Sequence, residues 1–392
     1  MTEKLYDYDS YATEFDAVVV SCTACDGGYE TVLDKTLFFP EEGGQCCDAG
    51  VLNGVPILCV RIDGDEIYHM SAQSFAVGEK VHGKIDFSLR FRNMQNHSGE
   101  HMLSGLAHNM YGCENVGFHL GADIVTMDFD RELTREQLEN LERRANEISA
   151  ENRAVSARYP SDDELAQMNY RSKKAIDGKV RIVEIEGVDK CACCAPHVRR
   201  TGEVGLIKIV DAIHYKGGMR LSIVCGLDAL EDYRARCAES AQISVLLSAK
   251  QSEIAAAVRR LADENNSLKQ QLGEKSRKIA KMIADEISKG EMNDKCICVF
   301  ADGLNNDSLR TVANAAKAKT AKLAVVLSGT DEDGYKYVIG SESVNLRELS
   351  KEINSALNGR GGGTPEMISG SFGASRTQIE EYFDNLNLPV SK

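Results

Sequence analysis

The chain has 392 residues, with 43% hydrophobic and 27% charged side chains and a net charge of −14. That length exceeds one ordinary domain, and the composition excludes disordered, collagen-like and low-complexity chains. The acidic balance argues against a general nucleic-acid coat but leaves room for local basic tracks.

Residues 1 to 88 read as β structure. Short apolar runs (FDAVVVSCTAC, YETVLDKTLFF, GVPILCVRI, EIYHM) alternate with turns at Asp26-Gly27-Gly28, Asn53-Gly54 and Asp63-Gly64, the spacing of a small antiparallel barrel. The acidic start lacks the basic and apolar regions of a signal peptide. No apolar run approaches the roughly 18 to 20 residues of a membrane-spanning helix, so a cytoplasmic protein without a membrane partner is expected. Within the barrel, LDKTLFFPEEGGQCCDAG holds Gly43 and Gly44, which let backbone approach a ligand, with Thr36, Gln45 and Asp48 as polar groups around that loop.

From Ser88, which fits an N-cap, SLRFRNMQNHSGEHMLSGLAHNMYG has helical periodicity and ends at Gly112. Residues 89 to 226 combine strands (DIVTMDFD, KVRIVEIEGV, VGLIKIVDAIHY, MRLSIVCG) with the helical stretch TREQLENLERRANEISAENRA, an α+β pattern. Residues 227 to 290 lack proline and nearly lack glycine. There Ile254, Val258, Leu261, Asn265, Leu268, Leu272, Ile279 and Met282 follow spacings of four and three, with Lys275 filling one slot. This predicts a coiled-coil seam with Asn265 setting register, hence a homodimer; an intramolecular helical hairpin is the alternative. Residues 291 to 392 alternate strands and helices as a small α/β domain. Its Gly359, Gly361, Gly362 and Gly363 are expected to form a run too flexible for a strand, presenting backbone amides, with Arg360, to a phosphate.

Chemistry concentrates in two segments. His97 and His101 are four apart in the predicted helix, so both imidazoles leave one face, as two metal ligands require. The order differs from the H-E-x-x-H of metalloproteases, because Ser98 follows the first histidine. About a hundred residues on, DKCACCAPHVRR places Cys193 and His197 four apart. Three imidazoles and one thiolate form a borderline-soft set that suits one zinc per chain. His108 is the substitute ligand, and a cysteine nucleophile is the lesser alternative. The 13 cysteines are odd in number and crowded, which fits a reducing compartment better than a disulfide framework. Basic residues cluster at Arg171, Lys173 and Lys174, on the long helix, and at Arg199, Arg200, Lys216 and Arg220. Those last four accompany the metal motif and suit phosphate contacts.

Taken in order, LDKTLFFPEEGGQCCDAG, HSGEH, CCAPHVRRTGEVG and YKGGMR closely resemble the editing domain shared by alanyl-tRNA synthetases and free-standing AlaX alanyl-tRNA editing proteins, over about residues 15 to 226. The GRGGG stretch resembles the DHHA1 domain that follows it in long AlaX forms. No class II aminoacylation core precedes the barrel, so no ATP-using activation is expected. The resemblance implies a zinc-dependent deacylase of mischarged tRNA(Ala), Ser-tRNA(Ala) first and Gly-tRNA(Ala) second, with His97, His101, Cys193 and His197 as ligands. It makes Gln45 the loop glutamine that orients water or the ester carbonyl, and Thr36 a sensor of the substrate hydroxyl. It implies tRNA contacts by Gly43, Gly44, Asp48, Arg199, Arg200, Lys216 and Arg220, and at the C-terminal domain by Arg360, Gly361 and Gly362. Zinc either activates water or anchors the amine, and the residues do not choose between these. Cys194, Ala195 and Pro196 depart from the two glycines and threonine usual between the Cys and His; the ligand spacing survives, while the loop's substrate contacts change. The rival functions are a non-catalytic zinc-stabilised dimer that binds tRNA or a synthetase, and a zinc hydrolase of another small ester.

Overall fold

Two-residue turns set several hairpins. Asn53 and Gly54 (φ 47° and 81°) and Lys216 and Gly217 (φ 47° and 83°) take the paired positive φ of type I′ turns, whose twist matches the strands they join. The computed structural model describes residues 1–121, 124–172 and 179–386 of a mixed α+β chain. It divides into two units, Met1–Gln242 and Ile243–Lys392. Lys173 and Lys174 lie outside the described residues.

The first unit opens with β1 (Glu3–Lys4), β2 (Glu14–Cys25), β3 (Gly28–Leu33), β4 (Lys35–Thr36), β5 (Gly50–Leu52), β6 (Val55–Asp63), β7 (Glu66–Ser71) and β8 (Lys80–Ile85). Six of these close on themselves in the order β2-β3-β7-β6-β5-β8, while β1 pairs with β4. Alternation along β8, buried at Val81, Gly83 and Ile85, shows the period of two that turns one face to the interior. Phe15, Leu33, Phe38, Phe39, Leu52, Val60 and Ile67 fill that interior.

Helix α1 (Phe87–Tyr111) follows. Asp86 is its N-cap, accepting from Ser88 N and Leu89 N at 3.0 and 3.1 Å, so Ser88 falls in the first turn instead of at the cap. A carboxylate one residue outside the helix takes two of the amides left open at its start, more than the Ser88 hydroxyl would. Gly112 ends the helix in the left-handed conformation. From Asn93 to Ala107 every residue is buried, so the helix is enclosed on all sides. The unit continues with β9 (Asn115–Leu120), β10 (Val125–Phe129), α2 (Arg135–Glu151), β11 (Val155–Arg158), α3 (Asp162–Gln167), β12 (Ile182–Ile185), β13 (Asp189–Ala192), β14 (Ile207–Tyr215), β15 (Gly218–Cys225) and α4 (Leu227–Leu246). The strands form an antiparallel β14-β15-β10-β9 sheet and a small β11-β12-β13 sheet. Gly105 lets α1 approach the start of β13, since a Cβ there would lie 2.6 Å from Val188 O and Asp189 Cβ.

The second unit contains α5 (Ile254–Lys289), β16 (Ile297–Phe300), α6 (Asn306–Lys317), β17 (Ala324–Thr330), β18 (Gly334–Gly340), α7 (Leu346–Ala356), β19 (Gly359–Gly363), β20 (Met367–Phe372) and α8 (Arg376–Asp384). Its sheet runs β16-β17-β18-β20-β19, with only the β16–β17 pair parallel. Helix α5 packs on α6 through small residues; Ala280 is fully buried and Ser276 Oγ meets Ser308 Oγ at 2.9 Å. On α5 Val258, Leu261, Leu268, Leu272, Ile279 and Met282 are 47% to 71% exposed. The glycine run departs from its expected flexibility, forming β19 at the sheet edge. A Cβ at Gly361 would lie 2.4 Å from both Ser369 O and Tyr337 Oη, so glycine is what permits this close pairing. Among the described residues no helix is long and apolar enough to cross a membrane.

Candidate metal centre

The α1 face carrying His97 and His101 meets the loop after β13 that carries Cys193 and His197. Their ligand atoms all lie within 4.8 Å of one another. Cys193 Sγ is 3.5 Å from His97 Nε2 and 3.4 Å from His197 Nε2. Tetrahedral zinc, with bonds of about 2.3 Å to sulfur and about 2.1 Å to nitrogen, places such a pair roughly 3.6 Å apart. The donor set and its spacing therefore fit zinc.

Each imidazole is also held from behind. His97 Nδ1 meets Gln45 Oε1 at 2.8 Å, His197 Nδ1 meets Ser98 Oγ at 3.0 Å, and His101 Nδ1 meets Asp189 Oδ2 at 2.9 Å. Arg171 in turn donates to Asp189 from Nε and Nη2 at 2.8 and 2.9 Å. Outer partners of this kind put the ring proton on Nδ1 and leave Nε2 as the ligand. Burial would push the Cys193 thiol up, but His97, His197 and His101 hold it well below the ordinary thiol range. Burial lowers His197 to about 3, which keeps it neutral. His101 is pulled down by burial but driven well above its usual value by Asp189 and Cys193. The cluster thus favours positive charge at its centre. Asp189, His101 and Cys191 form a second close grouping. Its carboxylate is clamped by Arg171 and burial raises the Cys191 thiol, so Asp189 serves as an anchor for His101.

Glu42 to Gln45 form a tight turn closed by Glu42 N to Gln45 O and Gln45 N to Glu42 O, at 3.2 and 3.1 Å. It reaches His97 through Gln45, while a Cβ at exposed Gly43 would lie 3.5 Å from Cys194 Sγ. Gly44 backs onto β9, where a Cβ would meet Phe118 O at 2.5 Å. Thr36 is fully buried beneath, its Oγ1 2.8 Å from His69 Nε2 and accepting from Phe38 N. The Asp48 carboxylate is enclosed by Arg90 and Phe39 N, a buried pin between barrel and α1 that occupies both oxygens. His108 turns instead to Glu114 at 2.6 Å and is not part of the cluster.

Arg199 lies over the Tyr11 ring at 4.3 Å and pairs with Asp9 at 2.9 Å. Arg200 donates to Asn152 O. Arg220 makes two bonds to Asp128, at 2.6 and 2.8 Å, and stacks on Tyr215 at 3.8 Å; Lys216 sits 5.0 Å from the same ring. In the second unit, exposed Arg360 lines a cavity of about 1040 Å³ with Lys269, Lys336, Gly359 and Ser371. Gly361 accepts a bond from Asn354 Nδ2 at 3.1 Å, and a Cβ at Gly362 would meet nothing within 4 Å.

Sequence reading missed Asp189, Ser98, Arg90 and His69, and it placed Arg171 in a basic cluster where the structure has it bonded to Asp189. Strand alternation offered a signal for Asp189, because Asp189, Cys191 and Cys193 fall on one side of an extended segment. Ser98 offered none, since a residue next to His97 in a helix points elsewhere than its ligand face.

Residues 180–262 match the Threonyl and Alanyl tRNA synthetase second additional domain, and residues 293–387 match the DHHA1 domain. The chain is 27% identical to the alanyl-tRNA editing protein Aarsd1 of Danio rerio, covering 95% of each. It is also 27% identical to the alanyl-tRNA editing protein AlaX-L of Pyrococcus horikoshii, covering 98% of this chain and 97% of that one. A Halobacterium salinarum alanine–tRNA ligase is 30% identical over 90% of this chain and 40% of its own length. With both domains in this order and similarity along nearly its whole length to proteins of that name, the chain belongs to the alanyl-tRNA editing family in its long, DHHA1-bearing AlaX form.

Proposed function

We propose that this protein deacylates mischarged tRNA(Ala) in trans, with Ser-tRNA(Ala) as main and Gly-tRNA(Ala) as second substrate, using one zinc held by His97, His101, Cys193 and His197. The observation that carries the reading is the four-ligand cluster with each imidazole Nδ1 braced by Gln45, Ser98 or Asp189. Zinc bound there would supply Lewis acidity and a point of attachment for the aminoacyl group. Gln45 holds His97 through its Oε1, and its Nε2, buried without a partner, is a donor for the ester carbonyl. Exposed Gly43 and Gly44 let the ester reach that donor without a side chain in the way. Thr36, bonded to His69, and Asp48, bonded to Arg90, hold the strand and loop that carry the turn. Arg199, Arg200, Lys216 and Arg220 take phosphates near the 3′ end, and Arg360, Gly361 and Gly362 take the tRNA body. The exposed seam of α5 joins two copies into a dimer.

The test is deacylation of Ser-tRNA(Ala) before and after chelation. Activity should vanish with the metal and return with added zinc. Hydrolysis untouched by exhaustive chelation would remove zinc from the mechanism, and no hydrolysis of any mischarged tRNA(Ala) would refute the activity.

A further inference from the structure

Buried polar atoms normally find partners, so several unpartnered ones at one turn mark a place shaped for a ligand. Among the described residues, Tyr6 Oη, Glu42 Oε2 and Gln45 Nε2 are buried with no hydrogen-bond partner. Glu42 and Gln45 are the two ends of the tight turn beside the metal cluster. Tyr6 is 2% exposed, packed edge-on against Phe39 at 5.4 Å. Burial raises its phenol strongly, and the charges of Asp7, Glu42 and Cys194 add to the rise, so the hydroxyl stays protonated.

The three open atoms comprise one anionic acceptor, Glu42 Oε2, and two neutral donors, Tyr6 Oη–H and Gln45 Nε2–H. An α-amino ester offers the complement: a cationic ammonium next to a carbonyl oxygen. Resting on the deacylase reading, we propose that Glu42 is a specificity-determining residue that binds the free α-ammonium of the aminoacyl group, while Gln45 and Tyr6 face its carbonyl. Glu42 thereby restricts the enzyme to aminoacyl esters with an unblocked amine. N-acylated esters, which lose the charge and keep only one N–H, are disfavoured because they would leave the carboxylate without its counter-charge.

The experiment measures binding of two probes to the full chain: tRNA(Ala) bearing serine through a non-hydrolysable 3′ amide, and the same molecule N-acetylated. Hydrolysis of Ser-tRNA(Ala) and N-acetyl-Ser-tRNA(Ala) is followed in parallel. A charge-assisted bond corresponds to about 10- to 100-fold in affinity, so wild type should prefer the free amine by that factor. Glu42→Gln should lose the preference by weakening the free-amine probe alone. Tyr6→Phe should weaken both probes alike, by about 2- to 10-fold. A wild-type protein indifferent to acetylation overturns the proposal whether or not any variant folds, as does a folded Glu42→Gln that keeps the wild-type preference. A wild type that binds and prefers the free-amine probe but hydrolyses neither ester supports the Glu42 contact and sinks the deacylase reading.

Discussion

Asp189 is the residue on which the candidate metal cluster leans most heavily, and Asp189→Asn should show it. Its side chain is 2% exposed and receives His101 Nδ1 at 2.9 Å and Arg171 at 2.8 and 2.9 Å. All of these partners are donors, so an amide of the same shape must turn its NH2 toward one of them. One buried donor then goes unmet, at a cost of about 1–3 kcal/mol, and Arg171 loses its counter-charge. Loss of such an outer partner lowers metal affinity by about 10- to 100-fold, or about 1.4–2.7 kcal/mol. Zinc competition against a chromophoric chelator reads this without reference to activity. The pH behaviour adds a second readout. Burial opposes ionisation of Asp189, but His101 and Arg171 win and lower its pKa from 3.8 to about 2. Because the folded value is the lower one, the stabilisation is complete above about pH 4 and disappears as pH falls toward about 2, on the order of 2 kcal/mol in all. Metal-free wild type should lose that stability across the window and Asp189→Asn should not. Unchanged zinc affinity together with an unchanged acid limb would refute the assigned role.

The seam of α5 should be sensitive to charge: Leu268→Glu with Leu272→Glu should convert a dimer to a monomer by light scattering at micromolar concentration, whereas a wild type that is already monomeric would remove the dimer. Gly361→Val should lower the melting temperature of the second unit by an amount equivalent to about 1–3 kcal/mol, because its side chain meets Ser369 O and Tyr337 Oη, and should raise the KM for Ser-tRNA(Ala) more than it lowers kcat. His69 is buried and lowered by that burial to about 4, so the unfolded chain takes up its proton first. Stability should fall as pH drops from about 6.5 to about 4, by at most roughly 3 kcal/mol, and denaturant titrations of His69→Gln should show that slope reduced.

Features that depend on neighbours within a turn or a hairpin are legible along the chain. The period of two in β8, the Asn53-Gly54 and Lys216-Gly217 turns, the i, i+4 histidines of α1 and the end of that helix at Gly112 are all written in residues a few positions apart. Local pattern was misleading where long-range contact outweighed it. Gly359 to Gly363 reads as a flexible loop, yet it pairs with β20 as a strand, and β20 and Tyr337 leave no room for a side chain at Gly361. Ser88 reads as a cap, yet Asp86 stands nearer the open amides. Which partners stand behind the candidate ligands is set by contacts between segments far apart in the chain. Gln45 reaches His97 across 52 residues, Asp189 reaches His101 across 88 and Ser98 reaches His197 across 99. Such contacts also turn Thr36 and Asp48 away toward His69 and Arg90. A buried donor or acceptor must be satisfied by whatever group packing brings to it, and packing is settled by the whole core, not by the spacing of residues along the chain.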